Sequence, residues 1–441
     1  MLTDPIAALA TPAGRSALAV IRLSGDGAFA VAGRVIDGFR VDRPRVALLA
    51  TFRARGGDSL DRGLYTVFPR PHSYTGEDMV ELSCHGGLLA PARVLAALHE
   101  AGSRPAAPGE FTRRAVLNGK LDLVQAEAVG DLIDAVAPAQ AKAALRQLDG
   151  GLSRRLAELR EALVNAQALL GYEIDFPGED DGPLPAGRIA ERLEALRLQI
   201  GRLIAGSASG ERLREGASLV LAGRPNAGKS SLFNALLGID RALVTEIPGT
   251  TRDAIEAHTD FLGWPVRLVD TAGLWDSGDR LDRLGVEVSR RYLGAADLVL
   301  LCVEAGRDPG EDEMAIAAAR PTLVARTKSD LSPPPAGEIG VSAVTGEGLG
   351  DLRRAAAERV FGDLITFADL EPGLTRERHR VALTRAREAL GEALPHLAPG
   401  GDAVLAAHHV REATTALDEL LGAVDVEEVL GRIFGSFCVG K

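Results

Sequence analysis

Residues 223–230 read GRPNAGKS, directly after the apolar run ASLVLA (217–222) and just ahead of SLFNALLG (231–238). The octet fits the pattern G-x-x-x-x-G-K-S, and its flanks predict a strand entering the loop and a helix leaving it. In that setting the glycines let the backbone N–H groups of residues such as Ala227, Gly228, Lys229 and Ser230 turn inward around phosphate oxygens at a helix N-terminus. The Lys229 ammonium neutralises the β/γ-phosphate charge, the Ser230 hydroxyl is a ligand for magnesium, and Ser231 continues the first helical turn. Three further runs, VRLVD (266–270), LVLLCV (298–303) and TLVAR (322–326), read as strands buried on both faces. Together they predict an α/β domain around a parallel sheet.

Downstream of the loop, the remaining elements come in the order that a guanine-nucleotide switch requires. GTTRD (249–253) supplies Thr251 as a second magnesium hydroxyl, and DTAG (270–273) supplies Asp270 and the Gly273 amide to sense the γ-phosphate. TKSD (327–330) sets Asp330 to accept from the guanine N1 and N2 hydrogens, beside Lys328, and SAVTGEG (342–348) offers Ser342 and the Ala343 backbone to the guanine oxygen. Adenine would leave that carboxylate unpaired, which gives base selectivity. Thr327 stands where such GTPases carry asparagine, so one contact around the base is expected to be weaker or rearranged. The residue after DTAG is Leu274, which cannot orient water as a glutamine does. Either an arginine finger from a partner or a monovalent cation held by Asn226 and loop carbonyls must take over. Asn226 also reads simply as a turn residue.

The whole chain of 441 residues carries a formal charge of −11, with 46% hydrophobic and 25% charged residues. That is globular composition, and the acidic balance argues against an extended nonspecific nucleic-acid surface. The cluster Arg376, Arg378, Arg380, Arg385 and Arg387 reads either as a local RNA contact or as a solvated helix face. Cys84, Cys302 and Cys438 are odd in number and far apart, which indicates neither a disulfide framework nor a zinc site and fits a reducing, cytoplasmic setting. No apolar run is long enough to span a bilayer, and no basic leader opens the chain.

Texture divides the chain into four stretches. Residues 1–118 alternate short β-rich runs with Gly and Pro, predicting an α+β domain. Residues 119–210 turn helical, with Leu145, Leu148, Leu152, Leu156, Leu159 and Leu163 as one apolar stripe broken later by DFPGEDDGPLPAG. Residues 211–375 form the α/β unit, and 376–441 return to helix, with capping-box spacing at Asp425 and Glu428. The expectation is a multidomain protein with an α/β unit inserted into one helical bundle.

ATPAGRSALAVIRLSG (10–25), SYTGEDMVELSCHGG (73–87), APGEFTRRAVLNGKLDLVQAEA (107–128) and the ending LGRIFGSFCVGK surround the nucleotide motifs. As a set, these resemble the MnmE (TrmE) family of tRNA-modification GTPases over nearly the whole chain. The resemblance implies an N-terminal domain that binds folate and forms a homodimer, a helical domain from both flanks, and the inserted G domain. It implies an FAD-containing partner of the MnmG type, in a heterotetramer, and modification of C5 of the wobble uridine of certain tRNAs. The one-carbon source would be 5,10-methylene- or 5-formyl-tetrahydrofolate. Folate contacts then fall on Arg22, Glu81, Lys120 and Lys441, although Arg22 and Glu81 also read as an ordinary cross-strand ion pair.

The family pattern further makes Asn226, Thr245, Ile247 and Thr250 a potassium site, with two G domains closing face to face for hydrolysis. It puts Asp282, one methylene shorter than the family's glutamate, in the role of orienting the attacking water through a second water. Cys438 reads either as a nucleophile or acid/base near the one-carbon unit or as a small packing residue. A ribosome or RNP assembly switch without modification chemistry is the competing class, and a membrane-acting GTPase lacks a basic amphipathic stretch.

Overall fold

The computed structural model describes residues 3–175, 186–238, 255–270, 292–362, 373–422, 435, 437 and 440. The chain divides into two compact units, one of residues 1–130 and 417–441, the other of residues 131–416.

The first unit is built on a six-stranded sheet. Its strands are β1 (Ile6–Leu9), β2 (Leu18–Ser24), β3 (Leu48–Arg53), β4 (Ser59–Phe68), β5 (Met79–His85) and β6 (Arg104–Pro105), in the order β3-β4-β5-β2-β1-β6. All pairs are antiparallel except β1 with β6. Helices α1 (Ala28–Val35) and α2 (Leu89–Glu100) cover one face, burying Ile21, Leu23, Val80 and Leu82 against Val31, Val94 and Leu98. Strict alternation along β2 and β5 therefore sends Arg22 and Glu81 to the other face. Helices α3 (Glu110–Leu117) and α4 (Leu123–Asp134) follow.

An ionic network ties α3 to this sheet. Arg114, 1% exposed, donates to Glu110 (2.9 Å), Glu77 (3.1 Å) and Asp4 (3.1 Å). Arg104 reaches Glu110 and Asp4 from β6. A buried cation this well paired is tolerable only because every charge has an opposite partner. Burial alone would raise the Glu110 carboxyl, but Arg104, the Ala107 N–H and Arg114 bring it down to about 2.

In the second unit, α5 (Pro138–Leu148), α6 (Gly151–Asp175), α7 (Ala186–Ala205) and α8 (Ser207–Glu215) lead into a second sheet. Its strands are β7 (Ala217–Ala222), β8 (Ile255–Phe261), β9 (Trp264–Asp270), β10 (Leu298–Glu304), β11 (Thr322–Thr327) and β12 (Ile339–Val341), in the order β12-β11-β10-β7-β9-β8. All neighbours are parallel except β8 and β9, which form a hairpin. The accompanying helices are α9 (Lys229–Gly238), α10 (Glu311–Ala319) and α11 (Leu349–Phe361), and the chain returns through α12 (Glu377–Ala393) and α13 (Ala403–Leu421). The fold is thus an α+β N-terminal sheet domain, a helical bundle, and a P-loop α/β domain inserted between its helices.

The anticipated leucine stripe is not one helix. Gly150, at φ +79, starts a new helix after α5, so Leu152, Leu156, Leu159 and Leu163 are buried while Leu145 is 47% exposed. The DFPGEDDGPLPAG loop and the Asp425/Glu428 spacing fall largely or wholly outside the described residues. At the seam of the inserted domain, the Gly263 carbonyl at the tip of the β8–β9 hairpin accepts from the Ala139 N–H (3.0 Å) in the first turn of α5. Gln140 donates to the Arg214 carbonyl (2.8 Å), and Gln147 to Thr375 Oγ1 (3.1 Å) where the chain leaves the α/β domain.

Candidate functional site

The phosphate loop springs from β7, all six residues of which are buried. Gly223 (φ +140) admits no side chain, since a Cβ would lie 2.3 Å from the Cys302 carbonyl oxygen on neighbouring β10. Asn226 (φ +62) and Gly228 (φ +84) supply the two left-handed turns that bend the backbone into a cradle. Lys229 opens α9 with 6% exposure, and its Nζ donates to the Gly223 (3.0 Å) and Arg224 (2.9 Å) carbonyls, so the ammonium braces the loop from inside. Asn226, Ser230 and Ser231 are exposed.

Asp270 ends β9 beside Leu221 of β7, 1% exposed. The Ser230 hydroxyl and the Asp270 carboxylate are hard oxygen donors of the kind magnesium takes and would hold such an ion, which would supply charge neutralisation to the phosphates. Those residues fit such an ion.

Thr327, at the end of β11, points its buried hydroxyl at the loop: Oγ1 donates to the Ala227 carbonyl at 2.7 Å. This hydrogen bond joins the segment expected to read the base to the phosphate loop. Lys328 (φ +57) pairs with Glu304 (3.1 Å), and Asp330 is exposed. The Ser342 N–H donates to Glu347 O (3.0 Å), while its carbonyl accepts from Gly346 (2.9 Å). That tight turn holds Ala343 partly open to solvent. Gly348 allows it, because a Cβ there would lie 1.8 Å from the Gly340 oxygen.

One supporting residue escaped the motif reading. Glu313, 4% exposed on α10, accepts from Gly310 N (2.7 Å) and from the P-loop residue Arg224 N (3.3 Å). The available signal was spacing, a glutamate three residues into a helix that follows a glycine.

On the second face of the first sheet, beside α3, Arg22 and Glu81 are cross-strand partners, Nη2 to Oε1 at 2.8 Å and Nε to Oε1 at 3.1 Å. The ion-pair geometry is thus present. The guanidinium also lies 5.2 Å from the Tyr74 ring centroid and 5.7 Å from that of Phe111, and Nη1 points to the Gly440 carbonyl at 3.4 Å. Gly440 (φ +101) packs so closely on β1 that a Cβ would meet Leu9 O at 2.3 Å. Lys120, just after α3, reaches the 71–76 loop that carries Tyr74, its Nζ donating to the Pro71 carbonyl (3.0 Å). Phe111 is fully buried, so the groups of this cluster that reach solvent are Tyr74 and the Arg22–Glu81 pair, each only in part. Tyr74 and Phe111 had no signal in the sequence, because nothing local ties either to Arg22.

The family model described as the MnmE helical domain matches residues 123–438, and that of the GTP-binding protein TrmE N-terminus matches residues 5–120. The chain belongs to the MnmE family of tRNA modification GTPases. It is 41% identical to "tRNA modification GTPase MnmE" of Akkermansia muciniphila, over 100% of both chains. To the proteins of the same name from Thermus thermophilus and Methylobacterium radiotolerans it is 44% and 45% identical, covering 100% of this chain and 99% of theirs. The crystallised G domain of the T. maritima FeoB iron transporter matches 32% of this chain and 98% of its own at 29% identity, with a TM-score of 0.26.

This MnmE family member is a GTP hydrolase. Thr245, Ile247, Thr250, Thr251, Gly273, Leu274, Asp282, Cys438 and Lys441 lie outside the described residues. The other two cysteines are buried, and burial pushes the Cys84 thiol up to about 11 and the Cys302 thiol up to about 12. Neither has thiolate character at neutral pH. Of the arginine cluster, Arg376 pairs with Asp131 (2.5 Å) and Arg380 with Glu377, whereas Arg387 lines a groove with Arg197 and Arg202. No described helix is long and apolar enough to cross a membrane.

Proposed function

We propose that this chain is a potassium-dependent GTPase which, as a homodimer and with an FAD-containing partner of the MnmG type, modifies C5 of the wobble uridine of certain tRNAs. The product is a carboxymethylaminomethyl- or aminomethyl-uridine, and a tetrahydrofolate derivative supplies the one-carbon unit. The observation that carries this reading is the second site. A nucleotide switch alone has no use for Arg22 and Glu81 set between Tyr74 and Phe111 with the Gly440 carbonyl closing one side.

In this reading Glu81 meets the donor edge of a pterin, and Arg22, Lys120 and Lys441 meet ring carbonyls or the acidic tail. Asn226, Thr245, Ile247 and Thr250 hold potassium where an arginine finger would otherwise reach, and Asp282 orients water in place of Leu274. Ser230 and Thr251 ligate magnesium, Lys229 meets the β- and γ-phosphates, and Asp330 reads guanine. Cys438 stands beside the one-carbon unit. The domain limits adopted are 1–118, 119–210, 211–375 and 376–441.

The test is the GTP hydrolysis rate of the purified chain in potassium and in sodium at equal ionic strength, with protein concentration varied. Potassium stimulation that grows with concentration is the expected result. Slow turnover indifferent to the cation overturns the potassium and dimer assignment. Binding of 5-formyl-tetrahydrofolate, reduced by Glu81→Gln, tests the second site separately.

A further inference from the structure

Helices α12 and α13 form a hairpin in the second unit, joined by a 3-10 turn, Leu394–Leu397. Neither the P-loop nor the Arg22 site uses this hairpin, yet it gathers imidazoles and carboxylates. His408, His409 and Glu412 project from α13 at positions i, i+1 and i+4, and their ligating atoms all lie within 4.8 Å of one another. His409 Nδ1 is 3.1 Å from Glu412 Oε2 and 3.3 Å from Glu392 Oε2 on α12. His408 Nε2 is 3.7 Å from Glu412 Oε1. The His396 ring, from the turn, stacks on His409 at 5.9 Å between centroids, 16° from parallel, and fixes its plane.

We infer that His408, His409, Glu412 and Glu392 bind one divalent first-row transition-metal ion, zinc or a metal of similar preference. The donor chemistry selects the metal: two imidazole nitrogens with two carboxylates suit zinc, nickel or cobalt, whereas magnesium and calcium take all-oxygen sets. The spacing agrees. Zn–N and Zn–O bonds of about 2.0–2.1 Å put two ligands of a tetrahedral ion about 3.3 Å apart, and the two contacts of His409 Nδ1 are already at that separation. The 4.8 Å span of His408, His409 and Glu412 closes by rotation of His408, whose side chain is 61% exposed, and Glu392, outside that trio but 3.3 Å from His409 and 65% exposed, turns in as the fourth ligand. Arg385 and Arg411 border the same cleft and oppose a cation, but Glu388 joins the two ligand carboxylates in offsetting them. Bound metal would staple the end of α12 to the start of α13 across the connecting turn.

The competing account treats the His409 ring as merely hydrogen-bonded between two glutamates, with no affinity for metal. Titration of Co2+ into the full chain, freed of any histidine tag and saturated with GDP and Mg2+, separates the two by visible absorption. One equivalent with tetrahedral d–d bands is expected, lost in His408→Gln/His409→Gln and at least tenfold weaker in Glu412→Gln. Zn2+ should displace the Co2+ and raise the thermal midpoint of wild type but not of the double variant. The exposed positions 408 and 412 keep the test independent of folding. Absence of bands in wild type, or equal stoichiometry in wild type and Glu412→Gln together with the double variant, overturns the site.

Discussion

Thr327→Val removes one hydroxyl and keeps shape and burial. In wild type that hydroxyl donates to the Ala227 carbonyl at 2.7 Å, in a position 3% exposed, so its loss is not made good by water. The net worth of such a neutral hydrogen bond is about 0.5–1.5 kcal/mol, which corresponds to roughly a 2- to 12-fold loss of affinity if the bond serves to preset the phosphate loop. The penalty should fall on GDP and GTP alike, because both fill the loop, and the turnover number at saturation should change less than affinity. Fluorescent-nucleotide titration of the full chain, with Thr327→Asn alongside, checks this. Asparagine is long enough to keep the link and should bind at least as tightly as wild type. Unchanged affinity in Thr327→Val with an intact thermal transition would refute the claim that this bond organises the loop.

Gly223→Ala should abolish nucleotide binding, measured by the same titration, because a Cβ would meet backbone oxygen at 2.3 Å and φ +140 strains any L side chain. For Glu110, the folded-state carboxyl is depressed from about 4.5 to about 2, so its stabilisation is fully present above pH 4.5 and is lost as pH falls toward 2. The difference is about 3 kcal/mol by linkage. Thermal midpoints of wild type and Glu110→Gln should therefore differ at pH 7 and converge on acidification; a gap independent of pH contradicts the assignment.

The phosphate loop was legible because its chemistry is local: eight consecutive residues carry the turn, the cation and the hydroxyl, and the flanking apolar runs declare strand and helix. Likewise, burial on both faces made the parallel strands readable as unbroken apolar runs. The Leu145–Leu163 stripe misled because periodicity registers apolar spacing but not the left-handed residue, Gly150, that restarts the helix. Thr327 left two readings open, a weaker or a rearranged contact, since a motif records which atom is missing and not which partner the substitute finds. Tyr74, Phe111 and Gly440 converge on Arg22 only through folding, and no spacing in the chain encodes that meeting.

The contact of Arg22 with Gly440 spans 418 residues. During synthesis, β1 and β2 leave the ribosome early, and the whole of residues 131–416 must follow before Gly440 can arrive beside Leu9. The first unit can thus form its sheet long before the wall beside Arg22 is complete, and contacts of such sequence separation close late. A chain interrupted anywhere after the α/β domain would keep its phosphate loop yet lack that wall. Nucleotide turnover could then persist in a molecule unable to finish its second pocket, so completion of the chain becomes a condition for one site and not for the other.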